Sequence, residues 1–425
     1  MRKKSLILLA MTLLATSLWA ASQEAVLHNF KNTGKDGYIP YAGVIFDTTG
    51  NLFGTTFDGG AHGAGTVFEM SPKTGGWNEK VLHNFGTAKD GNGPSDSLVF
   101  DSVGNLYGTT RSGGAYSSCG TVFELSPTGD GGWTEKVLHN FGSRNDGCVP
   151  DAGLIFDPSG NLYGTTTTDG AKGSAGIVFQ LSRKTSGGWT EKVLHSFIPS
   201  RGDGADPSGS LLCDSAGNLY GTTAGGGAYG YGTVFELSPE AGGGWTETIL
   251  RNFAENGKNG YSPSGGLVFD AVGNLYGVAG GGSGTCVNGG YAGCGIVFEL
   301  TQADGWTEEV LHSFDDNGTD GTDPNSLTFD AAGNLYGSTV YGGSGTCTVG
   351  PFVGCGTVFK LVPHGGARWT EIVLYSFKNN DRSGYSPEGV TFDGNGNVYG
   401  TTRWGGASGT GCPSQGCGTV FEITP

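Results

Sequence analysis

No segment of this 425-residue chain carries apolar residues at helical spacing, so neither a helical bundle nor alternating α/β layers are available to it. A nucleophile elbow, a zinc-binding helix motif, a phosphate-binding loop and a dinucleotide fingerprint are all missing, because the glycine pairs fall where hairpins close. Past Leu18 there is no long apolar run, and no basic or apolar tail follows the last strand-like segment, so no membrane span is expected after the leader and no surface anchor. Basic residues are few, 23 Lys and Arg against 39 Asp and Glu. Such a surface repels nucleic acid and anionic membranes. No linker or low-complexity break interrupts the chain, which predicts one large domain.

What precedes that domain reads as a secretory signal peptide over residues 1–22. Arg2-Lys3-Lys4 lead into an apolar run from Leu6 to Leu18, followed by Ala20-Ala21-Ser22, and the run is too short to span a membrane. No cysteine follows it, so a lipid-anchored product is not expected. The product, residues 23–425, is predicted to be secreted or periplasmic and monomeric. Losing Arg2, Lys3 and Lys4 leaves 20 basic against 39 acidic residues, a net charge of −19, which favours solubility.

The dominant feature is a phrase used seven times, Asp-x-x-Gly-Asn followed by an apolar-aromatic-Gly step, starting at Asp47, Asp101, Asp157, Asp214, Asp270, Asp330 and Asp393. Its Asn residues are 54, 56, 57, 56, 60 and 63 residues apart, the range of stacked supersecondary units. Each unit, for example Ser97 to Phe141, offers four short runs rich in Val, Phe, Tyr, Thr and Trp, separated by Gly, Pro, Ser and Asn. The Asp-x-x-Gly step fits a type I turn closed by a left-handed Gly, and Pro158 sits where its fixed φ suits that turn. Its Asp is expected to cap its own backbone.

The two ends are out of phase. Residues 24–30 match the fourth strand of a unit, whereas the chain stops after a third strand, Gly418 to Ile423. An open solenoid gains nothing from this offset, but a propeller uses it to fasten its last blade. The sequence therefore predicts an all-β fold, a seven-bladed β-propeller of four-stranded antiparallel blades with the last closed by the N-terminal strand. The blades fall at approximately 41–85, 95–141, 151–197, 208–253, 264–314, 325–377, and 388–425 plus 24–30.

Of the nine cysteines, Cys286 with Cys294, Cys347 with Cys355, and Cys412 with Cys417 bracket the loop between the second and third strands of the last three blades. An oxidising compartment and the absence of His at ligand spacing favour disulfides over metal sites. Cys119 lacks a local partner; Cys148, in the connection leaving the same blade, could lie on the same face, which leaves open both a Cys119–Cys148 bridge and two unpaired thiols. Cys213 takes a strand Phe position and is expected to be a buried free thiol.

The phrase Leu106-Tyr107-Gly108-Thr109-Thr110, then Gly113-Gly114, then Gly120-Thr121-Val122-Phe123-Glu124-Leu125 resembles the bacterial GloVer tandem repeat, over all seven units. The resemblance implies an exported protein and names no molecular role. The Asp-x-x-Gly-Asn-Leu-Tyr phrase is also similar, more weakly, to lactonase-like and NHL-type propellers, which bears on fold alone.

Repeated residues make poor catalysts, since an active site needs unlike groups brought together. His28, His83, His139, His195 and His312 share one fourth-strand position with Arg251 and Tyr375, which predicts packing or hydrogen bonding. Trp77, Trp133, Trp189, Trp245, Trp306 and Trp369 open that strand and predict packing between blades. Glu69, Glu124, Glu236, Glu299 and Glu422 read as surface alternation. Asp36, Asp90, Asp146, Asp203 and Asp320, in Asp-Gly steps of the blade connections, are expected as turn formers or as a ring of carboxylates around the central opening. Singular residues are more informative: Phe57, Asp58, Arg111, Tyr341, Arg403 and Trp404 begin the second-to-third-strand loops of blades that ring closure makes consecutive. They are predicted to gather as a ligand-binding patch. No catalytic set, metal site or cofactor is predicted. The expected role is an exported binding or interaction scaffold for an extracellular glycan or protein (peptide) ligand, with a secreted carbohydrate-active enzyme (glycoside hydrolase or polysaccharide lyase) and a structural envelope component as competing readings.

Overall fold

The computed structural model describes residues 22–425 except 88, 117, 144, 172–173, 289–290, 350–351, 366–367, 379, 381–382 and 407–410. Residues 1–21 of the expected signal peptide lie outside the described residues. Seven four-stranded antiparallel sheets follow one another as blades of a propeller, with no α-helix among the described residues. Blade 2 is representative, running from Val99–Phe100 innermost through Leu106–Thr110 and Thr121–Pro127 to Trp133–Asn140 outermost.

The ring closes as the sequence predicts. Gln23–Asn29 pairs antiparallel with Thr419–Thr424, placing Gln23 opposite Thr424, Val26 opposite Phe421 and Asn29 opposite Thr419. Every blade repeats a one-residue bulge in its outer strand just before the His position, for example between Val137 and His139. A bulge re-aims the side chain that follows it.

Local chemistry accounts for the repeat. Asp101 Oδ1 accepts the backbone N–H groups of Val103 and Asn105 at 3.0 and 2.9 Å, and Oδ2 accepts from the Asn105 side chain at 2.8 Å and the Tyr107 hydroxyl at 3.0 Å. Gly104 at φ 91° completes the turn. Gly108 is required because a Cβ there would lie 2.6 Å from the Phe123 ring.

The core lies between blades rather than at the centre. Phe30, Phe85, Phe141, Phe197, Phe253, Phe314 and Phe377, each directly after an outer strand, are 0–1 % exposed. Each meets a third-strand Phe of the next blade edge-on, at 5.0–5.3 Å between centroids. The strand-opening Trp residues reach back to the preceding blade, as Trp189 does to Tyr107 at 6.3 Å. Four disulfides form, Cys119–Cys148, Cys286–Cys294, Cys347–Cys355 and Cys412–Cys417. These fit an oxidising compartment. Cys213 is free but half-buried rather than buried.

Two expectations are corrected. Glu124 is buried, Glu422 accepts from the Tyr399 hydroxyl at 2.9 Å and Gln180 donates to Tyr163 at 2.6 Å, so this third-strand position supports the repeat tyrosines instead of facing solvent. The Asp-Gly carboxylates do not ring the opening. They face outer-strand histidines, and Asp36, Asp146 and Asp203 are hydrogen-bonded to theirs, Asp203 to His195 at 3.0 Å, while the glycine beside them is dictated by contact with a second-strand Thr.

Candidate functional site

The second-strand threonines tie neighbouring blades together around the axis. Thr55 donates to the Asp96 carbonyl at 3.3 Å, Thr109 to Ala152 at 3.2 Å and Thr401 to Ala42 at 2.7 Å. With the like bonds of Thr165 to Pro207 and Thr222 to Gly265, five junctions hold a repeat proline or a residue just after it against the neighbouring blade, and residues that follow the proline in all seven blades line one axial cavity of about 310 Å³. Most of those positions are Gly, Ser or Ala. Apart from Leu267 and Leu327, which belong to the core between blades, the exceptions are Tyr41, Asp96, Asp151, Asn325 and Glu388.

Each exception is held by a partner from another element. Asp96 reaches across blades, accepting from the Ser210 hydroxyl of blade 4 at 3.3 Å and bonding the Gly153 backbone N–H of blade 3. Burial pushes its carboxyl up to about 6, opposed by those hydrogen bonds and reinforced by the neighbouring charge of Asp151. Glu388, 6 % exposed, is pushed by burial to about 7 although it is ion-paired with Arg403 and accepts from Asn325 at 2.7 Å.

The predicted patch assembles in part. The Arg403 guanidinium lies over the Tyr41 ring at 4.2 Å, and Phe57 packs edge-on against the same ring at 4.8 Å. Arg111 faces Asp151 at 3.7 Å, so both arginines engage carboxylates of the cavity lining. Tyr341 stacks on Phe352 at 4.3 Å, and burial, then the charges of Asp323 and Glu388, push its hydroxyl up against the opposing charge of Arg403. Asp58 and Trp404 do not join them. Asp58 stands across a two-stranded ladder from Tyr38, and Trp404 lies opposite Tyr385, packed into the core between blades 6 and 7.

Beside this cluster, a second cavity of about 210 Å³ opens between blades 5 and 6, lined by Tyr261, the Cys286–Cys294 bridge, Asp323 and Phe352. Sequence reasoning missed Tyr41, Asp96, Asp151, Asn325 and Glu388. The signal was present, because each interrupts a run of small residues after a repeat proline, the same test of singularity that found Arg403 one loop away.

No helix among the described residues is long and apolar enough to cross a membrane. No curated protein matches the chain. Two examples stand for the solved structures that are similar to it. One is a luciferin-regenerating enzyme, 14 % identical, covering 95 % of this chain and 96 % of that one with a TM-score of 0.44. The other is a putative oxidoreductase (glucose dehydrogenase) from Thermus thermophilus, 14 % identical, covering 95 % and 100 % with a TM-score of 0.46. At that identity they bear on neither ligand nor reaction. The model of the Gloeobacter/Verrucomicrobia repeat matches residues 16–197, 134–285 and 283–425, and with the repeat accounted for from end to end, the chain belongs to the Gloeobacter/Verrucomicrobia repeat family.

Proposed function

We propose that this protein is an exported binding scaffold that takes a carbohydrate at the mouth of its axial cavity, on the sector formed by blades 6, 7 and 1. One observation supports the reading above the rest: sevenfold repetition breaks down at this mouth, where Arg403, fixed by Glu388 and the Tyr41 ring, stands beside Phe57 and near Tyr341. Aromatic faces for sugar rings beside fixed polar groups are the composition of a carbohydrate site. The test is a glycan array followed by calorimetry on the best ligand. Arg403→Ala should weaken binding at least tenfold, about 1.4 kcal/mol, and unchanged affinity would refute the site.

A second reading, a carbohydrate-active enzyme, is favoured by Asp96 and Glu388. Both carboxyls line one cavity and both are raised by burial, to about 6 and about 7. Groups that hold a proton near neutral pH suit general acid catalysis. Release of reducing sugar or an unsaturated product from the array ligand, abolished by Glu388→Gln, would decide for it.

A further inference from the structure

Around the rim, each blade presents a glutamate of its outer strand to the blade before it. At five junctions that glutamate meets a histidine and the Asp-Gly aspartate: Glu79 with His28 and Asp36, Glu135 with His83 and Asp90, Glu191 with His139 and Asp146, Glu247 with His195 and Asp203, and Glu371 with His312 and Asp320. The histidine Nε2 lies 3.0–3.3 Å from the aspartate in all five. The aspartate also accepts a backbone N–H, such as that of Lys31 to Asp36 or Ile198 to Asp203, so its oxygens act as acceptors. The glutamate thus faces an acceptor, and at two junctions it is hydrogen-bonded to it, Glu247 to Asp203 and Glu371 to Asp320. In all five, one glutamate oxygen, Oε1, is buried without a partner, as it is in Glu308 at a sixth junction.

The remaining two junctions supply an internal comparison. Where Arg251 replaces the histidine, Asn259 replaces the aspartate, and Glu308 receives the guanidinium and an amide N–H at 3.0 Å. Where Tyr375 replaces it, Ser383 replaces the aspartate, and Glu24 receives two hydroxyls at 2.8 and 3.0 Å. Histidine and aspartate are lost together, and the glutamate is then offered donors alone. Where the aspartate stays, two carboxyl groups share one desolvated site, and their contact is attractive only with a proton between them.

We propose that each of the five His–Asp–Glu junctions carries a proton on its glutamate, so that closing the blades takes up protons and the ring is tightened by acid and loosened as the pH rises past neutrality. The groups facing each glutamate are those named, the aspartate and histidine of the preceding blade. Burial first, then the aspartate charge, raises these five carboxyls from 4.5 to about 7. Because the folded value lies above the unfolded one, the stabilisation is complete below about 4.5 and is lost as pH rises through about 7.

The pH dependence of the unfolding free energy counts the protons released on unfolding. Between pH 5.5 and 6, single Glu→Gln variants at residues 79, 135 and 371 should each lower that number by about one relative to wild type. The exposed control Glu240→Gln should leave it unchanged, and the triple variant should lower it by about three. Gln keeps the shape of a protonated Glu, so these variants should fold at pH 5.5; if one does not, the carboxylic-acid carbonyl band in the infrared spectrum of the wild type at pH 6 and pH 9 gives the same count. An unchanged proton number in all three variants, or no acid band at pH 6, would overturn the proposal.

Discussion

Substitution of Phe30 by Ala strikes the seam that makes the molecule circular. Phe30 is 1 % exposed and meets Phe68 edge-on at 5.2 Å across the boundary between blades 7 and 1, with the His28 ring 4.8 Å away. A phenylalanine enclosed to this degree costs about 3–5 kcal/mol when truncated, the lost transfer energy plus the cavity left behind. The six residue pairs between Gln23–Asn29 and Thr419–Thr424 are local to one blade, whereas Phe30 locks that blade onto the next. Loss should therefore appear twice, as a fall of about 3–5 kcal/mol in the free energy of urea unfolding and as faster amide exchange in residues 23–29 at low urea. Val103→Ala, at a turn tip with 76 % exposure, provides the reference and should cost less than about 0.5 kcal/mol. A Phe30→Ala cost within that reference range, with exchange in 23–29 unaltered, would mean that the N-terminal strand does not seat in the ring.

Two further outcomes are expected. The Cys119–Cys148 bridge closes 29 residues and Cys412–Cys417 closes 5, so loop-closure entropy gives about 3.5 and about 2 kcal/mol; paired Cys→Ala variants compared by thermal unfolding should fall in that order. Gly384→Ala would place a Cβ 1.7 Å from Thr402 Oγ1 and should destabilise by about 3 kcal/mol, with Gly394→Ala, whose Cβ would meet nothing within 4 Å, as the silent control.

The architecture was readable because propeller geometry is written in short-range chemistry. Asp101, Gly104 and Asn105 close their hairpin using atoms within five residues of one another, and the out-of-phase ends announce the seam. The site was harder, because its members meet only after closure. Arg403 and Phe57 stand out within their own loops, but that they share the Tyr41 ring depends on two blades lying side by side. Asp58 and Trp404 looked equivalent to them in sequence, yet the pleat sends neighbouring side chains to opposite faces, and Trp404 goes to the core. The rim aspartates were misplaced for a related reason: nothing local says that a bulge in the outer strand turns His139 toward Asp146.

Pairing residue 23 with residue 424 also orders events during biogenesis. A strand synthesised early must wait, its amide edge uncovered, until Thr419–Thr424 arrives to receive it. Throughout that interval both halves of the last sheet offer themselves to any neighbouring copy. Assembly is therefore most exposed to wrong partners just before the ring closes, and slowing synthesis of the last blade should raise the yield of entangled or swapped chains.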